Sequence, residues 1–429
     1  MAEMGVTLAL MLGLLLLRLR VFLAMGLAAA GFAVIHAPIL RGDVLVQSVM
    51  RGLDNQAFTA IVYFFTAGTI MNAGGMSRRL LELAQALIGH IRGGLAHANI
   101  AASMIFAGIS GSAVADAAAV GSVMVPAMKE DGYAPGYAAA VTASSATIGL
   151  IIPPSIPMVI FALFTPADVT RLFLAGIVPG LLMGVFLIAI SVLVAMRRGY
   201  PAAPWQGWGR LWRAFRRSLL ALLLPVLVIA GMMTGVATVS EIGALAAAYA
   251  ALVSLVIYRE TTLPEFWAAL VTSATDAARV LIIIAASGAF VWIAARVGIA
   301  AELAAYLSAV EVSPRLLLTL IAAGLLVLGT VLEPVTLLIV IAPIVAPAAM
   351  LAGVDITQLG LVFVLASTIG LVTPPVGILL FLTAAQAQVS VLAVIREAAI
   401  FLVGLVAVLA LIVAVPSISL GLVALWDGP

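Results

Sequence analysis

Two carboxylates stand where carboxylates are costly. Asp116 closes the run G-I-S-G-S-A-V-A-D at Gly108 to Asp116, and Glu333 sits in G-T-V-L-E-P at Gly329 to Pro334, each inside sequence apolar enough to lie in lipid. An ionisable group at membrane depth is by default a functional hypothesis. Asp116 can bind a cation, carry a proton, or accept bonds from neighbouring hydroxyls and lock the local backbone, and Glu333 has the same alternatives.

Further along lie A-T-I-G-L-I-I-P-P-S-I-P at Ala146 to Pro157 and T-I-G-L-V-T-P-P at Thr368 to Pro375. A proline has no N–H to donate, so each Pro-Pro pair frees a carbonyl one turn earlier. Hard monovalent cations are held by such oxygens at unwound turns of membrane helices. One pocket is expected from Ser110, Ser112, Gly149, Ile152 and Pro154, and a second from Gly329, Leu332, Gly370, Thr373 and Pro375. Helix N-termini near these turns favour an anionic group, with Ser112 and Ser155 as its hydrogen-bonding partners. The plainer alternative is that Pro-Pro pairs kink packed helices and that the hydroxyls bond their own backbone. That explains one pair easily, but poorly explains two pairs in register with two glycine-bearing turns.

The elements that must position these residues follow from composition. The chain has 429 residues, 65% of them hydrophobic and 9% charged, with a mean hydropathy of +1.29, so it reads as an all-α polytopic membrane protein. Its apolar runs suit helices, and no alternating pattern suggests a β-barrel. Met4 to Leu17 resembles a signal-peptide core, but Arg18 and Arg20 stand where a cleavage site belongs, so it reads as a first span. Without cysteine there is no disulfide, thiolate site or cysteine nucleophile, and His36, His90 and His97 are too scattered for a metal site. No nucleotide-binding motif is present, and nothing suggests nucleic acid as a partner.

Hydropathy places spans near 4–17, 21–40 and 56–75, an interrupted segment 93–130, and spans near 136–164 and 171–196. After a connector at 197–217 the order recurs: spans near 219–238, 241–258 and 279–296, an interrupted segment 314–351, and spans near 357–385 and 392–416. A constant shift of 221 positions pairs Gly108 with Gly329, Pro126 with Pro347, Gly149 with Gly370 and Pro153-Pro154 with Pro374-Pro375. Matched helix breakers in an internal repeat point to a transporter binding site. The expected domains are therefore residues 1–218, containing the connector, and 219–429.

The segment from Arg92 to Lys129 is too long for one span and carries its polar residues in the middle, which fits a re-entrant helical hairpin with the Ser-Gly-Ser turn at its tip. Two short full spans are the rival arrangement. With hairpins, each repeat has five membrane spans, and an odd number makes the repeats inverted in topology. Placing both termini outside leaves only Arg41, Arg51, Arg171, Arg296 and Arg315 among the basic residues outside, which orients the connector inward. Trp205, Trp208 and Trp212 among the connector's arginines read as an interfacial helix beside anionic lipid, and Leu45 to Asn55 and Phe266 to Asp276 as surface helices.

These residues carry a resemblance. The run from Gly108 to Met128, D-G-Y at Asp131 to Tyr133, the run from Ala138 to Met158, T-V-S-E with Tyr249, and G-T-V-L-E-P with P-I-V-A-P at Pro343 to Pro347 resemble the large membrane subunit of tripartite ATP-independent periplasmic (TRAP) transporters. The resemblance covers essentially the whole chain. It departs where Leu19-Arg20-Val21-Phe22 replaces a usual Gly-x-Pro turn. It implies an elevator-type permease of a bacterial inner membrane, coupled to sodium, that takes a carboxylate such as a C4-dicarboxylate or sialic acid. Its implied partners are a small four-helix membrane subunit, expected as a separate chain, and a periplasmic substrate-binding protein. A stand-alone sodium- or proton-coupled carboxylate symporter is the nearest alternative. An intramembrane enzyme would need Asp116 and Glu333 as a pair, which opposite-facing repeats disfavour, and a scaffold would need no matched breaks.

Overall fold

A computed structural model describes residues 57–309 and 312–428 throughout, with 19–35, 46–50 and residues 6, 7, 9–11, 13, 14 and 17 before them. The expected first span at 4–17 is only partly among these. His36, the arginines 18, 41 and 51, and most of the 45–55 surface helix lie outside them. The described residues are helical throughout, joined by turns and short breaks, and six of the helices are long and apolar enough to cross a membrane.

The 221-residue shift recurs in the helices themselves. Ala113–Glu130 and Pro334–Leu351 correspond end to end, as do the starts of Pro135–Ala146 and Ile356–Gly370. Each start has a local cause. Ser112 caps one helix through its hydroxyl, and Asp355 caps another by accepting the Thr357 and Gln358 N–H groups at 2.8 and 3.0 Å. Pro135, Pro314 and Pro334 occupy the first turn, where a missing N–H leaves nothing unpaired.

Several boundaries differ from the sequence reading. The basic connector is no separate interfacial helix: Trp208–Met233 runs unbroken from the arginines into the span, because only Pro225 interrupts its pattern and the helix tolerates it. Phe266 to Asp276 is likewise the first part of one 35-residue helix, Leu263–Val297. A Thr262–Glu265 capping box starts that helix and nothing after it breaks the backbone; Asp276 and Arg279 pair at 2.9 Å on its surface. Met76–Ile88 and Ile299–Ala309 form helices that hydropathy alone passed over, and they end at corresponding positions under the same shift. Met76–Ile88 is amphipathic, burying Met76, Leu80, Leu81, Leu83 and Ala84, so its mean hydropathy is too low to register as a span. Ser417–Asp427 adds a last helix.

The two broken helices lie at the centre. Every residue of Gly136–Ala146 and of Thr357–Gly370 is buried, the first mostly alanine and serine, which allows close helix approach. Hydroxyls and amides tie the first of them in place: Asn99 donates to Thr142 at 2.8 Å, Ser103 and Ser145 bond at 2.9 Å, and Tyr137 and Ser191 bond at 2.9 Å. The repeats exchange contacts reciprocally. Ile378–Ala387 of the second packs on Ala113–Glu130 and Pro135–Ala146 of the first, and Ile156–Phe164 of the first packs on Pro334–Leu351 of the second. Arg198 and Glu397 join their last spans at 2.8 Å. Beside this body, Ala57–Ala73 packs with Val239–Leu252 and Leu263–Val297, forming a frame.

Candidate functional site

In the first repeat the leg Gly94–Ser110 ends at Gly111, whose φ of 58° is the left-handed turn that glycine tolerates, and Ser112 then caps Ala113–Glu130 by accepting the Ala115 N–H at 3.4 Å. The Ser110 side chain lies outside the description. Facing this tip, the central helix tightens to a single turn at Thr147–Leu150, breaks at the prolines and resumes at Ile156. The Pro153–Pro154 bond is cis. A Cβ at position 111 would lie 3.1 Å from Ile156 Cγ1 and 3.2 Å from the Pro154 carbonyl oxygen, so tip and break touch and that oxygen points into the junction. Gly149 is in the same junction, where a Cβ would fall on the Asp116 carboxylate. Asp116 is fully buried.

Ile152 is half-buried, with its side chain against Gly180 of Val169–Arg198. Ser155 is turned inward: its hydroxyl donates to the Leu150 carbonyl at 2.5 Å and accepts the Met158 N–H at 3.4 Å. In this conformation that hydroxyl stitches the break and caps the resumed helix. The spacing Leu150 to Ser155 bridges the Pro-Pro pair, and this local demand accounts for the serine.

The second repeat builds its junction from backbone. Gly329 and Gly370 pack directly: a Cβ at 329 would lie 2.9 Å from the Ser367 carbonyl oxygen and 3.2 Å from Gly370 Cα, and a Cβ at 370 would fall on the Gly329 backbone. Across the turn, the Gly377 N–H donates to the Thr330 carbonyl at 3.3 Å. A Cβ at 377 would sit 3.1 Å from the Thr373 oxygen and 3.2 Å from the Leu371 oxygen, so three carbonyls gather here. Pro374–Pro375 is cis, and both prolines are exposed with Val376. The Thr373 hydroxyl donates to its own helix at Ile369 O, 2.8 Å away, which leaves its carbonyl as the group facing the junction. Leu332 is half-buried against the core, and Glu333 stands exposed at the start of Pro334–Leu351 without capping it. Asp116 and Glu333 therefore belong to separate junctions.

Two participants escaped the sequence reading. Gly377 has no glycine partner under the 221 shift, since it aligns with Ile156, so the repeat gave no signal for it. Gln386 reaches from Ile378–Ala387 to the first hairpin, donating to the Ala117 carbonyl at 3.1 Å and the Ala118 carbonyl at 3.4 Å. An amide inside an apolar helix was the available signal. Among the described residues no group of acids and histidines is arranged to hold a metal ion.

Two broken helices, each covered by a hairpin tip, define a membrane-transporter architecture. The solved YdaH transporter of Alcanivorax borkumensis has the same fold, with a TM-score of 0.63 at 14% identity, covering 89% of this chain and 90% of that one. Residues 8–418 match the DctM component of the tripartite ATP-independent periplasmic transporters, and the chain belongs to that family. It is 37% identical over 369 residues to the C4-dicarboxylate TRAP transporter large permease of Pseudomonas aeruginosa, covering 86% of each chain. It is 34% identical over 382 residues to the sialic acid TRAP transporter large permease of Vibrio cholerae, covering 89% of this chain and 90% of the other. It is a multi-pass membrane transporter component, not an enzyme.

Proposed function

We propose that this large permease carries an organic acid, a carboxylate of the C4-dicarboxylate or sialic acid kind, across a bacterial inner membrane by sodium symport. One sodium ion binds at each junction. The observation that carries the reading is the pair of breaks, each closed by a hairpin tip with carbonyl oxygens turned into the seam: Pro154 beside Gly111, and Thr330, Leu371 and Thr373 around Gly377. Sodium is a hard cation suited to such oxygens, and their binding needs no titrating group. Residues 1–218 and 219–429 act as inverted repeats with both termini periplasmic and the connector cytoplasmic, and the central body moves against the frame as an elevator. A periplasmic binding protein delivers the substrate, and a small four-helix subunit braces the frame, in keeping with the tripartite family.

The test is uptake in proteoliposomes containing both membrane subunits and the binding protein under imposed gradients. An inward sodium gradient drives accumulation, and this chain alone moves nothing. Accumulation driven by a proton gradient without sodium, and lost in Asp116→Asn, would move coupling to the carboxylates. Saturable uptake by the single chain would instead make it a stand-alone symporter.

A further inference from the structure

The seam between Met76–Ile88 and the first turns of Trp208–Met233 is pinned at its membrane end. The Ser218 hydroxyl donates to the Arg79 carbonyl at 2.8 Å, and the Tyr258 hydroxyl donates to the Arg217 carbonyl at 2.9 Å. The Arg79 guanidinium is already engaged, pairing with Glu260 at 2.6 Å and lying 3.6 Å from the centre of the Tyr258 ring. Next to this fixed point opens a cleft of about 310 Å³ lined by Glu82, Arg210, Arg213, Ala214 and Arg217.

The three arginines fall at steps of three and four, on one helix face. Among the described residues none of them has a carboxylate within ion-pairing distance. Glu82, the anion in the lining, lies 3.8 Å from Arg78. Three cations against one anion leave the cleft with an excess of two positive charges. Trp205 borders the neighbouring cleft together with Arg210, while Trp208, Trp212 and Phe215 stand exposed on the other face of the same helix, and the helix turns apolar from Leu219 onward. A tryptophan collar at the point where a helix passes from charged to apolar marks the headgroup level of a bilayer.

We propose that this cleft binds the phosphate of an anionic membrane phospholipid, held by Arg210, Arg213 and Arg217. Guanidinium forks match phosphate oxygens two at a time, and basic pockets between membrane helices take anionic headgroups. The tryptophans set the arginines at headgroup depth, and the same helix turns apolar from Leu219, which favours a lipid over soluble phosphate because acyl chains have an apolar surface directly below the charge. The lipid has a structural consequence: Met76–Ile88 leads straight into the first hairpin at Gly94, so a bound headgroup ties that hairpin's root to the frame. The inference rests on the membrane family and not on the coupling ion.

The test is lipid retention by the purified full chain, read by native mass spectrometry after exchange into detergent with phosphatidylglycerol or phosphatidylcholine. The wild type is expected to keep phosphatidylglycerol and not phosphatidylcholine. Each Arg→Gln change weakens retention roughly fivefold, and the triple R210Q/R213Q/R217Q change about a hundredfold. Arg315→Gln, in the second repeat, leaves retention unchanged. The triple Arg→Lys variant keeps the charge but loses the fork, and falls between wild type and the glutamine variant. Equal retention of the two lipids by the wild type overturns the proposal without any variant. So does undiminished retention by the triple glutamine variant, or displacement of the lipid by millimolar inorganic phosphate.

Discussion

The two junctions share a plan and differ in what closes them. In the first repeat Pro153, Pro154 and Ser155 are buried, and side chains do the closing: Ser155 bonds across the break and Asp116 fills the space over Gly149. In the second, Pro374, Pro375 and Val376 are exposed, and backbone closes it through the Gly329–Gly370 contact and the Gly377-to-Thr330 bond. The cap positions differ in the same sense. Ser112 caps its helix, whereas Glu333, 221 residues later, caps nothing and stands exposed. A repeated pattern of breakers thus fixes where the chain opens, while the residues between the breakers decide whether the opening is sealed or accessible.

The largest test of this difference is alanine at the two central glycines. In Gly370→Ala the new methyl meets backbone that cannot step aside, so a loss of about 3 kcal/mol or more in thermal unfolding is expected, with uptake abolished. Gly149→Ala meets only the end of a side chain and should cost about 1–2 kcal/mol, most of it recovered in Gly149→Ala/Asp116→Ala. Equal losses at both sites, with no recovery in the double variant, would erase the distinction between backbone and side-chain closure. Because the chain has no cysteine, accessibility can be read directly. Val376→Cys should react with a thiol reagent on the order of tenfold or more faster than Ser155→Cys, since the buried site must open first.

Gln386→Leu removes the bridge between repeats and leaves two carbonyls without that donor, an expected cost of about 1–2 kcal/mol in unfolding. The smallest effect lies outside both junctions. The hydrogen bond from Arg79 holds Glu260 below its ordinary pKa of 4.5. The pairing therefore stabilises the fold above that value, and its contribution fades as pH falls from 4.5 through the lower folded pKa. Glu260→Gln should flatten that acid limb without altering stability at neutral pH by more than about 1 kcal/mol.

Much of this was legible in the chain. Gly108 with Gly329 and the two Pro-Pro pairs gave both breaks and both tips, because breakers in an apolar background are conspicuous. Met76–Ile88 was not, since hydropathy averages over its amphipathic face, and Ile299–Ala309 was not, because its 11 residues are too short to register as a span. The continuity of Leu263–Val297 was hidden by Asp276 and Arg279, which look like a boundary until their pairing on one helix surface is seen. The backbone bond of Ser155 was legible only as one of two alternatives, because a hydroxyl beside a break can serve a ligand or its own backbone, and only the fold shows that the Leu150 carbonyl, five residues earlier, lies within its reach.

Leu263–Val297 has one more implication. At about 1.5 Å per residue its 35 residues extend about 52 Å, against a hydrocarbon layer of about 30 Å. A rod that long must lean or protrude, and how far it leans depends on the thickness of the lipid around it. It packs on Val21–Ile35, on Ala57–Ala73 and on Pro334–Leu351 of the second hairpin, so a change of lean is delivered to frame and hairpin alike. Bilayer thickness thereby becomes a mechanical input to the protein, one that acyl chain length alone can vary.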